Sequence, residues 1–351
     1  MNLDLVRILA CVAVVGIHSV RVRDELFYNL AYYICCFAVP AFFMASGYTL
    51  LNRDCVRPGY VVRKIVDLLR LAVCWPVLLW LCILAIDLLC GRAPRYNVAS
   101  LPTMIFASFL QRGYFGQLWY LGTTMLVYAC LPALYWLRDR IGLGRIWACL
   151  AALGVAQTVV SCFVGRPLQE DIPQMLRLWT FLQYFLLGGL FGAGKLPGPL
   201  RRVENLSLKA HTVCLLAVTV GIAFYQNWMA RNVLHVVSAE HFYDSAFTVL
   251  WLILLFSWVM KLPVSERARP TITALSSLTL GVYIIHSLVI IAIRRVFAWA
   301  HLPASLLLCI CSLALSVLGA FALSKIPILR DMIRLKGGKR RLEAERQRLA
   351  G

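Results

Sequence analysis

Long apolar segments are the feature that most limits what this chain can fold into. Ten segments each come close to the ~20 residues that an α-helix needs to cross a lipid bilayer. Hydrophobic residues make up 61% of the sequence and the mean hydropathy is +0.77, which is too apolar for an ordinary soluble domain. The sequence therefore predicts an all-α, polytopic integral membrane protein with about ten transmembrane helices. The predicted spans are 3–20, 26–51, 68–90, 118–137, 143–164, 175–194, 206–225, 244–260, 276–297 and 302–326.

The distribution of lysine and arginine predicts how the chain is oriented. If the N-terminus lies inside, 24 of the 35 basic residues fall on the inner side and ten on the outer side. The positive-inside rule then places both termini in the cytoplasm. Residues 1–329 form the predicted transmembrane domain, and 330–351 form a basic cytoplasmic tail suited to anionic lipid headgroups.

Composition also excludes some partners. The net charge of +19 is not accompanied by a nucleic-acid-binding motif, so we expect no nucleic-acid partner. The 13 cysteines lie mostly within apolar segments and show neither a CxxC pair nor His/Cys ligand spacing, so we expect no metal. The sequence indicates nothing about the oligomeric state.

The first span carries three polar residues, Asp4, Arg7 and His18. The eleven-residue step from Arg7 to His18 returns to within about 20° of the same helix face, about 16 Å further along the axis. Ionisable groups inside a membrane span are costly and tend to mark function, which suggests a binding guanidinium and a catalytic imidazole. A snorkelling arginine and an internally bonded histidine are the alternative. Asp4 lies about 21 Å from His18 on this helix, too far to orient it.

Several motifs carry a resemblance to a known family. Asp4-Leu5-Val6-Arg7 followed by His18 resembles the first-helix motif of the integral-membrane acyltransferase 3 family. The stretch FFMASGY at 42–48 resembles its FFxxSG[FY] signature, and GQLWYL at 116–121 is similar to its HLWYL-type segment, with glutamine at the usual histidine position. TLGVYIIH at 279–286 also resembles a family segment, so the likeness covers nearly the whole chain.

The resemblance implies a set of site residues. His18 is expected to be catalytic, as a general base or as an acyl carrier, and Arg7 is expected to act beside it and to hold the donor. Arg63, Lys64 and Arg70 are expected to bind donor phosphates, although charge that fixes the topology explains them nearly as well. Ser46 is favoured as a packing residue over a nucleophile. The expected site-lining residues are Asp4, Ser46, Tyr48, Gln117, Trp119, Tyr120, Tyr283 and His286.

The implied activity is transfer of an acyl group from acyl-CoA to a hydroxyl group of a cell-surface or lipid-linked glycan. Acetyl-CoA is the expected co-substrate, and the bacterial cytoplasmic (inner) membrane is the expected location. No esterase-like domain is expected to follow the membrane domain. A transporter or flippase is the competing class, since a helical bundle with buried charge serves transport as well. In the loop before 244–260, polar side chains are either acceptor-binding or simply solvated: His235, Glu240, His241 and Asp244.

Overall fold

The computed structural model describes residues 2–20, 25–297, 302–330 and 332–333. Within these residues the chain forms α-helices and short 3-10 helices but no β-strand, which confirms the all-α prediction. The 3-10 helices are Gly116–Leu118, Gln174–Leu176 and Ala239–Phe242. The α-helices are α1 (Asn2–Ser19), α2 (Leu26–Ile34), α3 (Ala38–Leu50), α4 (Pro58–Leu89), α5 (Ser100–Phe109), α6 (Trp119–Ile141), α7 (Leu143–Val164), α8 (Leu178–Gly192), α9 (Gly198–Glu204), α10 (Leu208–Asn232), α11 (Ala246–Lys261), α12 (Arg269–Val296), α13 (Leu302–Lys325) and α14 (Pro327–Arg330).

Eight helical stretches of the described chain are long and apolar enough to cross a membrane, and each coincides with a predicted span. The other two predicted spans, 175–194 and 244–260, form α8 and α11. These helices have 15 and 16 residues, fewer than the ~20 of a complete crossing. The polytopic membrane fold is confirmed, whereas ten spans and cytoplasmic termini stay predictions. Most of the predicted basic tail, 334–351, lies outside the described residues.

The second predicted span is a broken helix. It ends as α2 at Ile34 and resumes as α3 at Ala38. Pro40 lies in the first turn of α3, where a missing N–H costs nothing, but its ring would clash with the Cys36 carbonyl if the helix were continuous. The Cys35 side chain packs closely on Gly16 of α1. The break therefore lies beside the end of α1 that carries His18.

Helices α3 and α8 cross at the centre of the bundle with their backbones in contact. A Cβ atom at Gly47 would overlap the Phe185 carbonyl oxygen, and one at Gly188 would overlap the Met44 carbonyl oxygen. Small residues of this kind let two membrane helices approach closely. Nearly every residue of α8 is buried, as expected for a helix that is apolar on all sides. The sequence analysis favoured a packing role for the Ser46-Gly47 pair, and Gly47 does have that role.

Helix α1 packs against α3, α11, α12 and α13. At its beginning, the Asn2 side-chain amide donates to the carbonyls of Met260 (2.7 Å) and Leu262 (3.2 Å), which end α11. At its end, the Arg294 guanidinium of α12 donates to the carbonyls of His18 (3.2 Å) and Ser19 (2.9 Å). Because the last carbonyls of a helix have no partner within it, these bonds satisfy groups that a membrane interior would otherwise penalise.

The α3–α8 crossing predicts a stability difference between two glycine substitutions. Gly188→Ala should destabilise the protein by about 1–3 kcal/mol, because the added methyl group forces two backbones apart. Gly221→Ala in α10 is the matched control, since a Cβ there meets no atom within 4 Å. Alanine should stabilise that helix slightly. Thermal unfolding of purified protein in detergent measures both, and equal melting temperatures for the two variants would contradict the prediction.

Candidate active site

Arg7 is held near the start of α1 by a short chain of polar contacts. Its Nη1 lies 3.1 Å from Asp4 Oδ1, and the Ser276 hydroxyl of α12 donates to the same oxygen at 2.8 Å. Asp4 therefore orients Arg7 and links α1 to α12. The Arg7 side chain remains about a third exposed, so the guanidinium has room for a second, anionic partner.

The structure brings the two intramembrane histidines together. The ring centroids of His18 on α1 and His286 on α12 lie 5.1 Å apart, with the ring planes tilted by 45°. His286 is fully buried. His18, at the end of α1, is exposed. Of the two imidazoles, His18 is the one that a substrate can reach.

Hydrogen bonding indicates how the His286 ring is held. Its Nδ1 lies 2.6 Å from the carbonyl oxygen of Tyr283, so Nδ1 carries a hydrogen and donates it. Nε2 lies 3.4 Å from the Ser287 hydroxyl. The hydrogen bond of one ring nitrogen sets the orientation of the whole imidazole. His286 therefore presents an oriented imidazole to His18.

Gln117 and Tyr283 join the start of α6 to α12. The Gln117 side-chain amide donates to the Ile284 carbonyl at 2.9 Å, and the Tyr283 hydroxyl donates to the Gln117 carbonyl. Both residues are buried. Glutamine at the position where the family usually has histidine thus holds two helices together through its amide. The structure shows no sign that it transfers protons.

Tyr120 lies at the centre of the aromatic contacts around this site. Its ring packs against Phe43 at 5.1 Å and Tyr283 at 5.4 Å, and Tyr283 in turn lies 6.0 Å from His286. The Arg7 charge acts on the Tyr120 hydroxyl, so Tyr120 of α6 faces the side of α1 that carries Arg7. Trp119 is buried against Phe181 at 5.4 Å and so is not a residue of an interfacial belt.

The three basic residues expected at the donor site lie on the first turns of α4. Arg63 is exposed and donates to the Gly59 carbonyl at 3.1 Å, whereas Arg70 is half-buried beside Asp67 at 3.9 Å. The ammonium group of Lys64 lies 5.8 Å above the Tyr60 ring. This is a basic surface at one end of the bundle, with Arg63 open to bind an anion.

Three residues that the sequence analysis did not single out connect this basic surface to the site. The Arg53 guanidinium also lies over the Tyr60 ring, 5.1 Å from its centroid. The rings of Tyr60 and Tyr128, which is on α6, lie 6.3 Å apart. Tyr128 follows Tyr120 by about two helical turns, and their hydroxyl groups interact electrostatically. A row of tyrosines therefore runs from the α4 surface to Tyr120. The aromatic residues on α6 repeat at near-helical spacing, and this spacing is the sequence signal from which the row could have been predicted.

Ser46 and Tyr48 lie on α3. Ser46 is half-buried, and its carbonyl accepts a hydrogen bond from the Thr49 hydroxyl at 3.0 Å. The Tyr48 ring packs at 6.1 Å from Phe256 of α11. The structure thus places Tyr48 on the α11 side of α3, whereas His18 faces α12.

A second polar cluster forms where the loops before α6, α8 and α11 meet. Arg177 is buried just before α8, and its charge acts on Glu240 and Asp244. The Thr180 hydroxyl donates to Asp244 Oδ2 at 2.9 Å, and Gln169 donates to the His241 carbonyl at 3.2 Å. The structure therefore groups three of the four loop residues noted in the sequence. His235 is exposed and adopts a positive φ of 53°.

Burial shifts the pKa of each titratable group in this cluster. It raises the pKa of Asp244 to about 6 and raises the pKa of Glu240, and in both cases the Arg177 charge partly offsets the increase. Burial, and then Arg177, lowers the pKa of His241 to about 4. His241 is thus neutral at pH 7. Within the described residues no group of three or more His, Cys, Asp or Glu side chains could hold a metal ion.

The pKa of Asp244 predicts how stability changes with pH. Because the folded-state pKa of about 6 lies above the ordinary value of 3.8, the folded protein retains this proton more tightly than the unfolded chain. This contribution to the free energy of unfolding is fully present below pH 3.8 and decreases as the pH rises to about 6. Asp244→Asn should remove it. The difference in melting temperature between variant and wild type, measured from pH 4 to pH 7, should grow in favour of the variant. A constant difference would contradict the prediction.

Comparison with known proteins yields one match. A family model described as an acyltransferase domain matches residues 2–325, nearly the whole chain. The match includes every residue of the site described above. Searches of curated proteins and of solved structures found no match.

Proposed function

Because the chain belongs to the acyltransferase 3 family and is a membrane acyltransferase, we propose that it moves an acetyl group from acetyl-CoA to a glycan hydroxyl group. The acceptor is a cell-surface or lipid-linked glycan, and the protein acts in the bacterial cytoplasmic membrane. The observation that carries the proposal is the exposed His18 imidazole, 5.1 Å from the buried imidazole of His286.

The donor occupies the side of the bundle that carries the α4 basic surface. Arg63, Lys64 and Arg70 bind the phosphate groups of CoA, and the positive-inside orientation places these residues in the cytoplasm. Arg7, oriented by Asp4 and still about a third exposed, holds the donor closer to the histidines. The tyrosine row between the two positions supplies hydroxyl groups along the path of the pantetheine arm.

His18 performs the chemistry as a general base. Its imidazole takes the proton of the acceptor hydroxyl group while the oxygen attacks the thioester carbonyl carbon. The tetrahedral intermediate collapses with cleavage of the carbon–sulfur bond, and the thiolate of CoA receives the proton. Imidazole suits this step because its ordinary pKa is near neutrality. His286, with Nδ1 donating to Tyr283, supports His18 from behind. The alternative, in which His18 carries the acetyl group, uses the same residues.

The basic tail gives the protein a second attachment to the membrane. Residues 330–351 contain several lysines and arginines, which bind anionic lipid headgroups on the cytoplasmic side. This proposal rests on charge alone, since most of the tail lies outside the described residues.

The catalytic assignment predicts that His18→Ala nearly abolishes acyl transfer. A general base contributes about 10²–10⁴-fold, so the rate should fall by that factor while donor binding is retained. The measurement is release of free CoA thiol from acetyl-CoA by purified protein, with glycan acceptors supplied. His286→Ala in parallel reports whether the buried imidazole belongs to the same site.

Two outcomes would overturn this assignment. Equal rates for wild type and His18→Ala, with matching melting temperatures, would remove His18 from catalysis. A wild-type protein that releases no thiol with any acceptor would favour a transporter.

The donor assignment predicts a loss of affinity in Arg7→Gln. Removing one charged hydrogen bond should weaken acetyl-CoA binding by about ten- to a hundredfold. Titration calorimetry on purified protein measures the dissociation constant. Arg295→Gln is the control, because Arg295 is exposed near the end of α12, the end opposite the Asp4–Ser276 contact. Unchanged affinity in Arg7→Gln would exclude Arg7 from the donor site.

A further inference from the structure

Buried polar atoms without partners are concentrated in the outer-loop cluster. Among the residues that the structure describes, none hydrogen-bonds to Arg177 Nη1, to His241 Nδ1, to Asp244 Oδ1 or to either polar atom of the Gln183 amide. The Trp179 indole N–H approaches Asp244 without hydrogen-bonding geometry. Gln183 and Asp244 are at most 1% exposed, and Arg177 is 5% exposed.

Such a concentration calls for a partner. Each buried polar group left without a hydrogen bond costs about 1–3 kcal/mol, and native proteins contain few of them. These atoms lie on α8 and on the loop before α11, and a glycine of α7 borders them. A Cβ atom at Gly154 would lie 3.1 Å from Gln183 Oε1 and 3.2 Å from Asp244 Oδ1. Both oxygens therefore pack closely against the backbone of α7 at this glycine.

The chemistry of the cluster favours a neutral, hydroxyl-bearing ligand. The atoms without partners include donors (Arg177 Nη1 and Gln183 Nε2) and acceptors (Asp244 Oδ1 and Gln183 Oε1), and a hydroxyl group can serve both. The cluster contains charges of both signs, since the Arg177 charge lies near those of Glu240 and Asp244, and a neutral ligand that both donates and accepts suits such a mixture.

The cluster is continuous with the surface and with the histidine site. Glu240 and His241 are half-buried, and Gln111, which donates to Gln174, is exposed. The loop that begins at Gln111 ends at Leu118, and its Gln117 contacts α12 beside His286. One short loop thus contacts residues at both sites.

We propose that the cluster formed by Arg177, Gln183, Glu240, His241 and Asp244 binds the hydroxyl groups of the glycan acceptor. The inference rests on the proposed function, and adds to it where the acceptor is held. Because the loops of the cluster lie on the extracytoplasmic side of the predicted topology, the acceptor enters from there and the donor from the cytoplasm.

The test is sugar binding, which can be measured without acyl transfer. The full chain is placed in phosphatidylglycerol nanodiscs, and saturation-transfer-difference NMR is recorded with maltose and with the methyl pyranosides of glucose, galactose, mannose and N-acetylglucosamine. Gly154→Ala adds a methyl group that must displace the side chains of Gln183 and Asp244, without changing any charge. Gly221→Ala is the matched control, a second mid-helix glycine whose Cβ would meet no atom within 4 Å. Gln183→Leu removes the amide at nearly constant volume.

Both cluster variants should bind the sugar that wild type prefers about three- to tenfold more weakly, the effect of losing a neutral hydrogen bond. The control should bind it as wild type does. Melting temperatures establish that each protein is folded. If Gly154→Ala unfolds, Gln183→Leu decides, since exchanging an unpartnered buried amide for an apolar group should not lower stability.

The proposal is overturned if wild type gives no transfer signal with any of these sugars. It is also overturned if the folded cluster variants bind as the wild type does, which is the result expected of side chains with a purely structural role. Failure of the proposed function would look different. In that case, wild type would release no CoA thiol, while the sugar-binding result would stand by itself.

Discussion

The backbone contact between α3 and α8 is the constraint on which the rest of the bundle depends. Gly47 and Gly188 let two helices cross without intervening side chains, so α8 lies at the centre of the protein. Between apolar helices in lipid there is little hydrophobic driving force, and close van der Waals contact must supply much of the stabilisation. The position of α8 in turn brings Phe181 against Phe43 and Trp119. The aromatic wall behind Tyr120 follows from this crossing.

Polar groups in the membrane domain lie in three places: the α4 basic surface, the histidine site and the outer-loop cluster. Aromatic rings join the first two. The basic surface on α4 continues through Tyr60 and Tyr128 to Tyr120. Tyr120 continues through Tyr283 to His286 and then to His18. The outer-loop cluster shares the 111–118 loop with this row. In the function proposed above, donor and acceptor enter from opposite sides of the membrane, and this arrangement puts the reactive group between the two entrances.

Much of the fold could be predicted, because hydrophobic length is a direct physical signal. Eight of the predicted spans coincide with helices that are long and apolar enough to cross a membrane. The helix break at Cys35–Phe37 was missed, although Pro40 was a visible cause. Helix α8, with 15 residues, is shorter than the predicted span 175–194, since sequence cannot distinguish a helix buried in protein from one that spans lipid. Helix α11 (Ala246–Lys261) nearly coincides with the predicted span 244–260. The candidate site was only partly predictable. Arg177 and Gln183 carry no motif, so only their burial without partners draws attention to them.

The sequence by itself determined the class of the protein, its helical content and the polar residues that its apolar segments contain. Composition and periodicity are local properties, and the motif around Arg7 and His18 lies within one helix. Only the tertiary structure decided which residues meet. His18 and His286 are 268 positions apart, and no local pattern could show that their rings lie at 5.1 Å. That distance depends on the packing of α1 against α12, and so on contacts such as that of Asp4 with Ser276. Burial, likewise, is a property of all neighbours at once, which is why the outer-loop cluster became visible only in the folded chain.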